Sequence, residues 1–83
     1  LYALDANTGT QRWKYGVGGR IASSPTIVNG VVYIGAEDAT LYALDAPSGV
    51  LRWKYSTGGR ITSSPFVVDG TAYFGSEDRT LYA

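Results

Sequence analysis

The feature that most constrains this chain is a repeat. Leu1-Tyr2-Ala3-Leu4-Asp5-Ala6 returns forty residues later as Leu41-Tyr42-Ala43-Leu44-Asp45-Ala46, and Leu81-Tyr82-Ala83 starts the series again. Twenty-five of the forty aligned positions are identical, and most of the rest are mild exchanges such as Thr8 for Ser48 or Asn29 for Asp69. Fixed periods of this length belong to solenoids, propellers or arrays. A helical array needs long amphipathic stretches, and no window sustains a 3.6-residue apolar period. The alternative is short strands divided by turns. At this period that means four-stranded blades of an all-β propeller.

One cycle predicts the strands. Ser23–Val28 reads as an inner strand with Pro25 near its start, because proline cannot donate to a ladder. Asn29-Gly30 then forms a tight hairpin whose two residues accept positive φ, and Asp69-Gly70 repeats it. Val31–Gly35 is the second strand, Leu41–Ala46 the third, and Leu51–Tyr55 the fourth. In the fourth, Arg52 and Lys54 are expected on one face and Trp53 and Tyr55 on the other. Residues 1–20 then hold the third and fourth strands of one blade. Residues 21–60 hold a complete blade, and 61–83 hold two strands and the start of a third.

Composition excludes several function classes. The chain has no histidine and no cysteine, which removes the commonest general base, disulfides and thiolate metal ligands. Seven basic residues balance seven acidic ones, so a basic stripe for nucleic acid is absent. No apolar run is long enough for a membrane helix. Ser23-Ser24 and Ser63-Ser64 have no residue to activate them as nucleophiles. Adjacent acids such as Glu37-Asp38 point to opposite sides of a hairpin and do not build a calcium shell. No catalytic, cofactor-binding or metal residue is expected.

The residues Ala3, Asp5, Thr8, Gly9 and Trp13 form a spaced motif, and Ala43, Asp45, Ser48, Gly49 and Trp53 repeat it with serine for threonine. This motif resembles the tryptophan-docking motif of pyrroloquinoline quinone (PQQ) type propeller repeats, and the resemblance covers the whole chain. It implies structural roles. Trp13 and Trp53 would lie between adjacent blades, Gly9 and Gly49 would take a backbone conformation that side chains disfavour, and the Asp and hydroxyl residues would hydrogen-bond within the turn. It does not imply the cofactor. The related dehydrogenases use a vicinal cysteine pair, a catalytic aspartate and calcium ligands, and no residue here matches them. Other relatives are scaffolds, including outer-membrane assembly lipoproteins, which favours an extracytoplasmic location.

Three functions follow. The leading one is a non-catalytic scaffold or protein-binding module. The second is a fragment of a PQQ-dependent dehydrogenase binding quinone and calcium. The third is an idealised or excised two-blade unit with no ligand. The two half blades are complementary, so they are completed either by the rest of a larger parent or by further copies joined head-to-tail. Four copies would close an eight-bladed ring and three a six-bladed one. Leu1–Ala3 and Leu81–Ala83 would then compete for one place. The turns on one face carry Arg20, Arg60, Glu37, Asp38, Glu77 and Asp78. That rim is either an anion-binding mouth or a solvated face of weak ion pairs.

Overall fold

The computed structural model describes residues 1–83 as nine strands and no helix. The hairpins nucleate on the residues that tolerate positive φ. Asn29 and Gly30 adopt φ of 51° and 76°, and Asp69 and Gly70 adopt 50° and 75°. These turns match the twist of the flanking strands. They join β3 (Thr26–Val28) to β4 (Val31–Gly35) and β7 (Phe66–Val68) to β8 (Thr71–Ser76). A second left-handed turn, at Ala39 (φ 71°), leads from β4 into β5 (Thr40–Asp45), which pairs with β6 (Leu51–Ser56). The earlier copy contributes β1 (Tyr2–Leu4) and β2 (Gln11–Lys14), and the later one β9 (Thr80–Tyr82).

The strands make three antiparallel sheets, ordered β1-β2, β3-β4-β5-β6 and β7-β8-β9. Successive residues of β5 face opposite ways, so its two faces serve two different seams. Tyr42 joins Ile34 and Ala36 against Leu1, Tyr15 and Val17 of the preceding sheet and its exit loop. Leu41 joins Ile61 and Phe74 against Tyr82 on the other side. The core is therefore two small inter-sheet clusters and not one interior.

Two local features differ from the reading of the sequence. The inner ladder starts at Thr26 rather than Ser23. Pro25 offers no N–H, and the Ser23 hydroxyl replaces a strand residue by donating to Gly35 O (2.8 Å) and accepting from Gly35 N (3.1 Å). The strict alternation expected in the fourth strand also fails. Ala43 pairs with Trp53 but Leu44 pairs with Leu51, so Arg52 is the extra residue of a β-bulge. Arg12 occupies the same bulge in β2, where Ala3 faces Trp13 and Leu4 faces Gln11.

The middle sheet is covered on both sides and the flanking ones are not. Leu44 is fully buried, whereas its counterpart Leu4 is 56% exposed. Leu41 is likewise buried and Leu81 open to solvent.

Candidate functional site

The site is built at the seam between sheets and begins with a turn. Asp45 Oδ2 accepts from Ser48 N (3.2 Å) and Ser48 Oγ (2.7 Å), and Gly49 N closes the turn on Asp45 O at 2.7 Å. Gly49 takes φ 75°, where a side chain is strained. Arg52, placed by its bulge, reaches Asp45 Oδ1 at 2.9 Å. The earlier copy is built alike. Asp5 Oδ1 accepts from Asn7 N and Thr8 N, Asp5 Oδ2 pairs with Arg12 at 2.8 Å, and Thr8 Oγ1 caps Thr10 N.

Trp13 lies across this turn. Its Nε1 donates to Ala46 O at 2.8 Å. A Cβ added at Gly49 would fall 2.5 Å from Trp13 Cδ2, so the ring rests on the glycine face. Ala3, the small residue opposite Trp13 in the ladder, repeats as Ala43 opposite Trp53. Trp53 itself packs on Tyr33 with ring centroids 6.0 Å apart, yet remains 44% exposed. Gly9 has the same φ as Gly49, but nothing lies within 4 Å of where its Cβ would be. The structure thus joins Trp13 to Asp45, Ser48 and Gly49, and leaves Trp53 and the Asp5–Thr8–Gly9 turn without counterparts.

The Asp38 carboxylate, expected on the polar rim, is turned onto the protein. It accepts from Gly18 N (3.1 Å), Thr40 N (3.1 Å) and the Tyr42 hydroxyl. Asp78 does the same with Gly58 N, Thr80 N and Tyr82 OH. These contacts latch each Gly-Gly crossover to the next sheet. A Cβ on Gly19 would sit 2.6 Å from Asp38 N, so the crossover passes too close for any other residue. Arg20 and Arg60 stay largely exposed, 3.9 Å from Glu37 and 3.3 Å from Glu77. Such solvated pairs are worth about 0–1 kcal/mol each. The sequence reading missed the latch, although its signal was present: each Gly-Gly pair precedes an Asp by twenty residues, and that Asp precedes a tyrosine by four. Inner strands of neighbouring sheets are tied by Ser24 N to Ser64 Oγ (3.1 Å) and Thr26 Oγ1 to Pro65 O (2.6 Å).

Several of these groups titrate away from their ordinary values. The Arg12 guanidinium, helped by the Asn7 and Thr8 amides, holds Asp5 below 3.8. The Ser48 hydroxyl and then Arg52 do so for Asp45, and the Tyr82 hydroxyl for Asp78. Burial, then the bond to Asp38, raises Tyr42 above 10.0, and the bond to Asp78 raises Tyr82. A depressed carboxylate stabilises the fold above its unfolded value and loses that contribution as pH falls through the folded value. A raised phenol stabilises below its unfolded value and loses it as pH rises through the folded one. The urea midpoint should therefore be level between about pH 5 and 9 and fall on both sides. Asp45→Asn should flatten the acid limb. Retention of the full acid limb in that variant would show that the turn carboxylate does not contribute.

A family model described as the outer membrane protein assembly factor BamB matches residues 1–83. The chain belongs to this BamB-type family of PQQ-repeat propellers. Among solved structures, the BamB-type architecture returns as the crystal structure of BamB from Moraxella catarrhalis. It superposes with a TM-score of 0.83 at 31% identity, covering 96% of this chain and 26% of that one. The chain thus spans about a quarter of that BamB. No curated protein matches the chain.

Proposed function

We propose that the chain is a non-catalytic propeller module, a scaffold and protein-binding surface that assembles head-to-tail through complementary half blades. The observation that carries this is the contrast between copies of the repeat. Residues that are buried in the middle sheet, Leu41 and Leu44, have identical counterparts at Leu81 and Leu4 that face solvent. Apolar side chains left open at positions that the middle sheet buries are ones that a neighbouring sheet can cover. The family supports the protein-binding role, because it is named for assembling outer membrane proteins. It also supports an extracytoplasmic location.

No catalytic residue is assigned. The carboxylates of Asp38 and Asp78 already bond to the protein's own amides and tyrosines, which favours a structural role for them over quinone or calcium binding. A head-to-tail contact closes into a ring or runs on as a filament. The related BamB is about four times as long as the matched segment, so four copies supply about that length of chain.

Native mass in solution tests the reading. Four copies of the 8.9 kDa chain are expected, with three as the smaller ring. A monomer mass at every concentration would overturn the head-to-tail assembly and point to further blades of one polypeptide as the completing partner.

A further inference from the structure

The chain has two asparagines, and the fold treats them differently. Asn7 is followed by the β-branched Thr8, whose backbone N–H is engaged by Asp5 Oδ1 at 3.1 Å. Asn29 is followed by Gly30, whose N–H donates to no carbonyl. Both residues of that turn are exposed, and nothing lies within 4 Å of where a Gly30 Cβ would sit. The Gly30 nitrogen is therefore free and unhindered where a five-membered ring with Asn29 Cγ can close.

The turn geometry favours that closure. Such a ring fixes ψ of its first residue near about −120°, which goes with φ near about +60° at the first central position of a type II′ turn. Asn29 already holds φ at 51°. Passing from type I′ to type II′ rotates the Asn29–Gly30 peptide and brings Gly30 to negative φ, which glycine accepts as readily as positive. Both types are two-residue turns that suit a twisted hairpin. The pairing of Val28 with Val31 can stay closed while the ring forms.

We propose that Asn29-Gly30 is a site of spontaneous covalent modification, at which the folded hairpin converts Asn29 to aspartate and isoaspartate. Gly30 N loses its proton and bonds to Asn29 Cγ. The Cγ–Nδ2 bond breaks, and Nδ2 leaves as ammonia with that proton. Water then opens the imide, at Cγ to give aspartate or at the main-chain carbonyl to give isoaspartate. One carboxamide and one water become one carboxylate and one ammonium ion, so a chain of zero net charge becomes negative.

The two products differ in consequence. Aspartate fits, because Asp69 holds the same turn in the next copy at φ 50°, with Val68 paired to Thr71. Isoaspartate puts an extra carbon into the main chain of a two-residue turn. That displaces Gly30, whose carbonyl accepts from Ala46 N at 2.8 Å, and Ala46 O in turn accepts from Trp13 Nε1. A slow chemical change at the hairpin is thereby coupled to the packing of one sheet on the next.

Ageing the full chain in mildly alkaline buffer, with and without guanidinium chloride, tests this. Peptide mapping by mass spectrometry should show Asn29 gaining a single mass unit and Asn7 unchanged. Conversion in the folded chain should be as fast as in denaturant or faster. Much slower conversion when folded would overturn the proposal, because the turn would then protect Asn29. The separated products give a second readout. The aspartate form and Asn29→Asp should keep the wild-type urea midpoint. The isoaspartate form should unfold at lower urea and exchange its Ala46 N–H faster. An isoaspartate form with the wild-type midpoint and unchanged exchange at Ala46 would overturn the coupling.

Discussion

Gly49→Ala should lower the unfolding free energy of the dilute chain by about 2–5 kcal/mol, and Gly9→Ala by only about 1–2 kcal/mol. Both glycines have φ 75°, so both changes carry the left-handed strain of about 1–2 kcal/mol. Only at Gly49 does the new Cβ meet an indole, 2.5 Å from Trp13 Cδ2. Moving that ring costs about 1–3 kcal/mol more, the usual range for overpacking, and strains the 2.8 Å bond to Ala46 O. Equilibrium urea unfolding measures both. Equal losses would mean that Trp13 is not seated on the turn. Both glycines close the same kind of Asp-built turn at the same φ, so the difference reports mainly the indole seated on Gly49.

Ile61→Ala should cost about 2–4 kcal/mol, while Ile21→Ala should cost less than about 1 kcal/mol. The two isoleucines hold the same place in the repeat. Ile61 is fully buried against Leu41 and Phe74, and Ile21 is 37% exposed. Ile61 also fills the space that a side chain at Gly35 would need, since a Cβ there would fall 2.1 Å from Ile61 Cγ2. Its loss opens a cavity beneath a strand that cannot collapse inward without moving the β4–β5 ladder. Thermal unfolding of the two variants gives the comparison, and matching shifts in Tm would contradict the burial difference.

The parts of the fold carried by local chemistry were legible from the residues. Asn29-Gly30 and Asp69-Gly70 specify their hairpins because few other pairs tolerate both positive φ values, and the strand Val31–Gly35 follows from what surrounds it. The turn built on Asp45, Ser48 and Gly49 was legible for the same reason. Features that depend on a partner distant in sequence were not. Nothing in Leu51-Arg52-Trp53 announces a bulge, because the extra residue is defined only against Ala43 and Leu44 of the neighbouring strand. Ser23 reads as a strand residue until its hydroxyl is seen to bond both backbone groups of Gly35. Asp38 reads as a surface acid until the crossover at Gly18 folds onto it. Position in the repeat is also silent about burial. Leu4 and Leu44, or Ile21 and Ile61, share a sequence neighbourhood and differ only in what packs over them.

The arrangement has a thermodynamic consequence. A three-sheet unit measuring 41 × 28 × 18 Å holds two small clusters and no central core. Small domains are marginal because they bury a modest share of their surface. The flanking sheets also leave ladder positions open, which exposes edges that other strands can join. Stability should therefore be graded, highest in β4 and β5 and lowest in β1, β2 and β9.

Backbone hydrogen exchange followed across protein concentration tests this gradient and its cause together. Amides of β4 and β5 should stay protected at every concentration. Amides of Leu4 and Ala72, which point at the open strand edges, should exchange quickly in dilute solution and slow markedly as copies join. Uniform protection of all nine strands in a dilute monomer would contradict the account.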